Sequence, residues 1–381
     1  MTPSPSIDRL FFGAVLNQKR KFVLQHSPVF NILRLIFFLY LFLFSLELMG
    51  ASLKLFGKGF ASSLIETTTN PIVGLFIGIL ATSIIQSSSS TTSIVVGLVA
   101  GGALTIPNAI PIIMGANIGT SVTNLLASLT QIRRNIEFQR AFAAAIVHDF
   151  FNVLAVLVIF PLQYFTNFLG RAAALMGEEF QHIGGLTFLS PVKTITRPVV
   201  DVFKNWIGNH PWILLILALI CLLLALSQMV ASLKVLVVKK AEVWFDRYLF
   251  KTALRAFLVG LLLTATVQSS SITTSLAVPL AGAGLLSLIQ IFPYTLGANI
   301  GTTVTAILAA LVTGNLSAII VAFSHLLFNI SGMIIWWPLK VVPITLAQKF
   351  SVHSTRHKFI PVLYIVVVFF LIPILFIYLF K

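Results

Sequence analysis

Charge is scarce in this chain of 381 residues. Only 9% of its residues are Asp, Glu, Lys or Arg, against about 25% in an ordinary soluble domain. That excludes a soluble enzyme of this length. Acid is scarcer still, with 10 Asp and Glu against 25 Lys and Arg, for a net charge of +15. Cysteine is limited to Cys221, so no intrachain disulfide can form. Residues 1–29 lack a long apolar core and carry Pro3, Pro5, Lys19, Arg20 and Lys21. They predict a cytoplasmic arm rather than a cleaved signal peptide. Apolar residues fill the rest: 58% of the chain is hydrophobic and its mean hydropathy is +1.01. An all-α polytopic membrane protein is expected. Its surplus positive charge then belongs to cytoplasmic loops facing a lipid bilayer, not to nucleic-acid binding.

The chain repeats itself. ATSIIQSSSSTTSIVVG begins at Ala81 and LTATVQSSSITTSLAVP at Leu263, and an offset of 182 pairs Gln86 with Gln268. The same offset, without a gap, pairs GANIGTSVT at 115–123 with GANIGTTVT at 297–305. From Thr82 to Leu129 the copies agree at 24 of 48 positions, which shared apolar composition does not produce. Upstream, Met49, Ala51, Ser52, Leu53 and Lys54 match Met229, Ala231, Ser232, Leu233 and Lys234. Downstream, His148 and Asn152 match His325 and Asn329 after a five-residue deletion. We divide the chain into an arm (1–29), repeat 1 (30–165), an extracytoplasmic connector (166–210), repeat 2 (211–340), and a cytoplasmic loop with a last helix (341–381).

A bilayer-crossing helix needs about 20 apolar residues. Segments 31–56, 141–165, 212–238, 317–339 and 359–380 suffice, as do 110–129 and 292–312 despite a Gly-Ala-Asn-Ile-Gly-Thr interruption in each. The arms flanking the first Gln-Ser-Ser-Ser block, 71–85 and 94–106, are too short to span. They predict a re-entrant hairpin with the serines at its tip. Three crossings per repeat is an odd number, so the second copy enters inverted. With the N-terminus inside, three basic loops fall inside: Arg133, Arg134 and Arg140; Lys239, Lys240, Arg247, Lys251 and Arg255; Lys340, Lys349, Arg356 and Lys358. That obeys the positive-inside rule. The expected fold is two inverted repeats, each with a re-entrant hairpin and an interrupted helix. One C-terminal helix follows and ends outside.

QSSSSTTS at 86–93 is a run of polar residues at membrane depth, and Gln268, Ser269, Ser270 and Ser271 mirror it. Unpaired polar groups in hydrocarbon cost several kcal/mol each, so these blocks must face protein or a water-filled cavity. A helix broken at that depth offers N–H groups and a positive dipole end to an anion. Its freed carbonyls, with hydroxyl and amide oxygens, suit a small hard cation. Gly115, Gly119, Gly297 and Gly301 permit unwinding, or else close helix packing, and Asn117, Thr120, Asn299 and Thr302 supply oxygens beside them. No cofactor is implied. On residues alone, an oxyanion carrier, a carrier of small carboxylates and a non-transporting membrane subunit all remain open.

VQSSSITTSLAVPLAGAGLL with PYTLGANIGTTVTAILAAL, and IIQSSSSTTSIVVGL with IPIIMGANIGTSVTNLLASL, resemble the two signature repeats of the type II sodium–phosphate cotransporters. EFQRAFAAAIVHDFFNVLAVLVIFPL is similar to the segment after the first repeat there. The resemblance implies sodium-coupled symport of inorganic phosphate at a plasma membrane, with no enzymatic step. It implies a site between the repeats. Expected phosphate ligands are Gln86, Ser87, Ser88, Asn117, Gln268, Ser269, Ser270 and Asn299. Expected sodium ligands are Ser89, Thr120, Thr123, Gln268, Ser271, Thr302 and Thr305. Two departures stand out. Animal members carry a large disulfide-closed external loop, whereas this connector is short and has no cysteine. Electrogenic members place an aspartate soon after the first QSSS, whereas no acid occurs here between Glu66 and Glu137. Near-electroneutral transport is therefore expected.

Other polar residues have less defined expectations. His148 with Asn152, and His325 with Asn329, share a helix face and should make matched interhelical hydrogen bonds, the alternative being a role in the pathway. Glu47 and Asp149 match Ser227 and Leu326, so neither acid belongs to the symmetric core, and each is open to a structural pairing or a role in transport. Lys54 and Lys234 should snorkel from helix ends, and the aromatic last helix should be scaffold.

Overall fold

In the computed structural model, residues 28–182, 190–208, 210–233 and 250–380 are described. The expected cytoplasmic arm, apart from its last two residues, and the basic residues Lys234, Lys239, Lys240 and Arg247 lie outside them.

The regular elements among the described residues are all helices, in the order α1 (Pro28–Thr67), α2 (Pro71–Ile85), α3 (Ser88–Ala100), α4 (Ile106–Leu129) and α5 (Asn135–Thr166). Then follow α6 (Phe168–His182), α7 (Ser190–Ile207), α8 (Pro211–Leu233), α9 (Ala253–Val267) and α10 (Ser270–Gly282). The series ends with α11 (Leu288–Thr313), α12 (Leu316–Trp336), α13 (Val341–Arg356), α14 (Ile360–Val366), a π-helical turn (Val367–Leu371) and α15 (Ile372–Phe380). Seven helices among the described residues are long and apolar enough to cross a membrane, the number expected. The hairpin arms α2, α3, α9 and α10 have 15, 13, 15 and 13 residues. At 1.5 Å per residue each is about 20 Å long, short of a hydrocarbon core of about 30 Å.

Local chemistry sets these boundaries. Asn70 caps α2, accepting from Ile72 N at 3.0 Å, with Pro71 in the first helical position, where its missing N–H costs nothing. Thr252 caps α9 and Asn315 caps α12 in the same way. Near the C-terminus, Pro373 has no N–H to give and its ring crowds the carbonyl four residues back. The helix widens just before it, with Ile372 N bonded to Val367 O.

Equivalent helices pack equivalently. α2 lies on α4 and α9 on α11, while α1 lies on α8. Other contacts cross between repeats: α3 meets α11 and α12, and α10 meets α4 and α5. α13 and α15 cover this assembly, resting on α5 and α2.

Two expectations are corrected here. The helices carrying Gly-Ala-Asn-Ile-Gly-Thr are not interrupted, because α4 and α11 run unbroken through it. The glycines serve close packing instead. A methyl group at Gly115 would sit 1.9 Å from Leu75 O, and one at Gly297 would sit 2.0 Å from Phe257 O. Lys54 is not at a helix end, since α1 continues to Thr67. It borders a cleft of about 400 Å³ with Glu47, Arg197, Asp201 and Lys204. The connector is itself largely helical, with α6 on α12 and α7 on α1.

Candidate functional site

The chain reverses at Gln86 and at Gln268. Both adopt the left-handed conformation, with φ, ψ of 57°, 28° and 57°, 27°. Only three non-glycine residues among those described have positive φ, and two of them are these glutamines. A non-glycine residue there costs about 1–2 kcal/mol, so the reversal must be held by its surroundings. The holding contacts are duplicated. Gln86 N donates to Thr82 O at 2.7 Å and Gln268 N to Thr264 O at 2.6 Å. Ser87 and Ser269, each at φ −151°, cap the next helix by accepting from Ser90 N and Ile272 N. Hydroxyl pairs tie the arms together, Thr82 to Thr91 at 3.0 Å and Thr264 to Thr273 at 2.6 Å. The remaining serines and threonines of each block are not a loop. They form the first turns of α3 and α10.

The two tips touch each other. Ser89 Oγ donates to Gln268 O at 2.9 Å, and Ser271 Oγ donates to Gln86 O at 3.3 Å. Residues 179 and 185 positions apart thus make reciprocal contacts through matched atoms. Around them lies a cavity of about 660 Å³, lined by Gln86, Ser87, Ser89, Ser90, Thr123, Gln268, Ser269 and Ser271 and closed on another side by α8. It has no charged lining residue. The first-turn N–H groups of α3 and α10 point toward the tips, as do the last carbonyls of α2 and α9. Such a site can hold an anion at helix N-termini and small cations on hydroxyl and carbonyl oxygens.

The other expected ligands lie elsewhere. Ser88 and Ser270 are buried behind the tips and do not line the cavity. The hydroxyls of Thr120 and Thr302 donate back to Ala116 O and Ala298 O at 2.9 and 3.0 Å. Thr123 Oγ1 and Thr305 Oγ1 are buried without a partner, and only Thr123 borders the cavity. Asn117 Nδ2 donates to Ile113 O at 3.0 Å. Asn299 joins His148 and Asn152 in a buried network. The matched hydrogen bonds expected of His325 do not form, because both its ring nitrogens are buried without a partner.

The two acids are also off the cavity. Glu47 is paired with Arg197 at 3.7 Å, and Asp149 accepts from the Tyr364 hydroxyl. The last helix therefore does more than fill space, since it supplies the partner of a buried carboxylate. One lining element was not anticipated, the face of α8 formed by Leu223, Ser227 and Val230. Their spacing of four and three places them on one helix side. The available signal was that Ser227 aligns with Glu47.

Fold and site together define a polytopic helical membrane protein with two matched polar tips around one uncharged cavity. Residues 41–188 and 221–336 match the Na+/Pi-cotransporter family. This is more than half of the chain, and the chain belongs to that family. It is 33% identical over 455 aligned positions to sodium-dependent phosphate transport protein 2B of Homo sapiens, covering 93% of this chain. It is 35% identical over 418 positions to sodium-dependent phosphate transport protein 2A of Mus musculus, covering 88% of this chain. The chain spans only about two thirds of these relatives, 66% and 65% of their lengths. No solved structure matches it.

Proposed function

We propose that this protein is a carrier, not an enzyme, that takes inorganic phosphate into the cell by sodium-coupled symport. The observation that carries this reading is the reciprocal contact of the two tips over a cavity with no charged wall. A phosphate dianion alone is poorly stabilised there, and so is a lone sodium ion, because an isolated buried charge is strongly disfavoured. Bound together they neutralise one another, which gives the coupling a physical cause. Gln86, Ser87, Gln268 and Ser269, with the N–H groups of α3 and α10, hold the phosphate. Ser89, Ser271, Thr123 and the Gln268 carbonyl serve sodium at the cavity wall, and Thr302 and Thr305, which do not line the cavity, serve a sodium ion off it. The names of the relatives support both substrates.

On this reading the repeats are inverted, the hairpins are re-entrant, and alternating access turns on the pseudo-symmetry between them. The cytoplasmic N-terminus and external C-terminus follow from the basic loops, and the plasma membrane is the site of action. Uptake of labelled phosphate into proteoliposomes should require external sodium and stop when potassium replaces it. Equal uptake in potassium would reject the coupling. Two sodium ions balance one dianion, and neither Glu47 nor Asp149 reaches the cavity to neutralise a third. Phosphate-induced current recorded beside tracer flux should therefore be close to zero. A positive inward current proportional to flux would reject electroneutrality.

A further inference from the structure

A polar chain runs through the helix core away from the cavity, and its direction can be read from one end. Asn152 Nδ2 donates to the backbone carbonyl of Asn117 at 2.8 Å, and a carbonyl can only accept. Asn152 therefore presents Oδ1 to Asn299, whose Nδ2 donates to it at 2.7 Å. Asn299 Oδ1 then faces His148 Nε2 at 2.7 Å, so Nε2 carries the hydrogen. His148 Nδ1 lies 2.9 Å from Asn124 Nδ2, and the Thr274 hydroxyl divides its one hydrogen between Asn124 Oδ1 at 3.0 Å and Ser270 O at 2.6 Å. Every side chain in this chain is buried. The Asn117 carbonyl thus places a hydrogen on His148 Nε2.

The chain ties four helices together: α10 through Thr274, α4 through Asn124 and Asn117, α5 through His148 and Asn152, and α11 through Asn299. Thr274 lies one turn beyond Ser270, at the second tip. Beside it, the Tyr294 hydroxyl of α11 donates to Thr273 O at 2.7 Å. The second tip is therefore oriented against α4, α5 and α11. The matched position in repeat 2 is built differently. His325 is fully buried with neither ring nitrogen partnered. Ala306 stands where Asn124 stands, which removes the donor to Nδ1. Asn329 turns its Nδ2 back to His325 O at 3.0 Å, leaving its Oδ1 unpartnered.

We propose that His148 is a positioning residue for the second tip, holding α10 and α11 in the orientation that completes the sodium ligands there, and that His325 has no such duty. The inference deepens the carrier reading and rests on it. The test is the sodium half-saturation of phosphate uptake in proteoliposomes, measured per folded protein. His148→Leu should raise it about tenfold or more, the scale of two lost hydrogen bonds. His148→Gln retains a donor near the Nε2 position and should raise it only about threefold, with most of the maximal rate kept. His325→Leu should leave both quantities within about twofold of the parent, since it breaks no bond. A role in folding alone would lower the amount of folded protein without moving the half-saturation. An unchanged half-saturation in His148→Leu, or an equal shift in His325→Leu, overturns the proposal. If His148→Leu does not fold, His148→Gln decides, and an unshifted value in it overturns the proposal. If the parent protein takes up no phosphate, the carrier reading fails separately. The sodium concentration that half-maximally raises the melting temperature then gives the same comparison.

Discussion

Gln268→Gly is expected to lower sodium-driven phosphate uptake about tenfold to a hundredfold, with the amount of folded protein unchanged. Glycine adopts the left-handed conformation of this position freely, so the variant removes the amide and leaves the turn. A hydrogen bond to a charged group contributes about 1.5–3 kcal/mol, and each 1.4 kcal/mol is a factor of ten in affinity. Gln86→Gly should behave similarly, because Gln86 has the same φ and ψ and lines the same cavity. Alanine also removes the amide but keeps the backbone cost of about 1–2 kcal/mol that glutamine already pays at φ 57°. Uptake within about twofold of the parent in Gln268→Gly would remove this side chain from the site.

Thr305→Val should have two effects of opposite sign. Its Oγ1 is buried without a partner, and an unsatisfied buried polar atom costs about 1–3 kcal/mol. Replacing the hydroxyl with a methyl of similar shape should raise the melting temperature of the sodium-free protein. If Thr305 is a sodium ligand, the same change should raise the sodium half-saturation of uptake about tenfold to a hundredfold. Thr302→Val should weaken sodium dependence less, because that hydroxyl already bonds to Ala298 O. A stabilised Thr305→Val protein with unaltered sodium dependence would withdraw Thr305 from the sodium set.

Much of this was legible in the sequence because the duplication is gapless where it matters. An offset of 182 linked Gln86 to Gln268, and the structure gives both residues the same backbone conformation to within 1°. The number of long apolar helices followed from segment length alone. The sequence misled at the glycines. Gly115 and Gly297 permit either unwinding or close approach, and only the neighbouring backbone decides between them. Here Leu75 O and Phe257 O stand where a side chain would go. Symmetry also misled at the histidines, since matched positions need matched surroundings and Ala306 replaces Asn124 across the repeat. Partners from outside the repeat, such as Tyr364 for Asp149 and Arg197 for Glu47, had no periodic signal. The cavity face of α8 was hidden because its residues look like any lipid-facing helix until the tips are placed beside them.

The carrier reading requires that the two tips build one site. It is tested most directly by titrating purified protein with phosphate in sodium and in potassium and counting the phosphates bound. One phosphate per chain is expected in sodium and none in potassium at the same concentration. Gln86→Gly or Gln268→Gly alone should each weaken that single site. Two phosphates per chain, or one that survives unchanged in the double variant, would contradict a shared site.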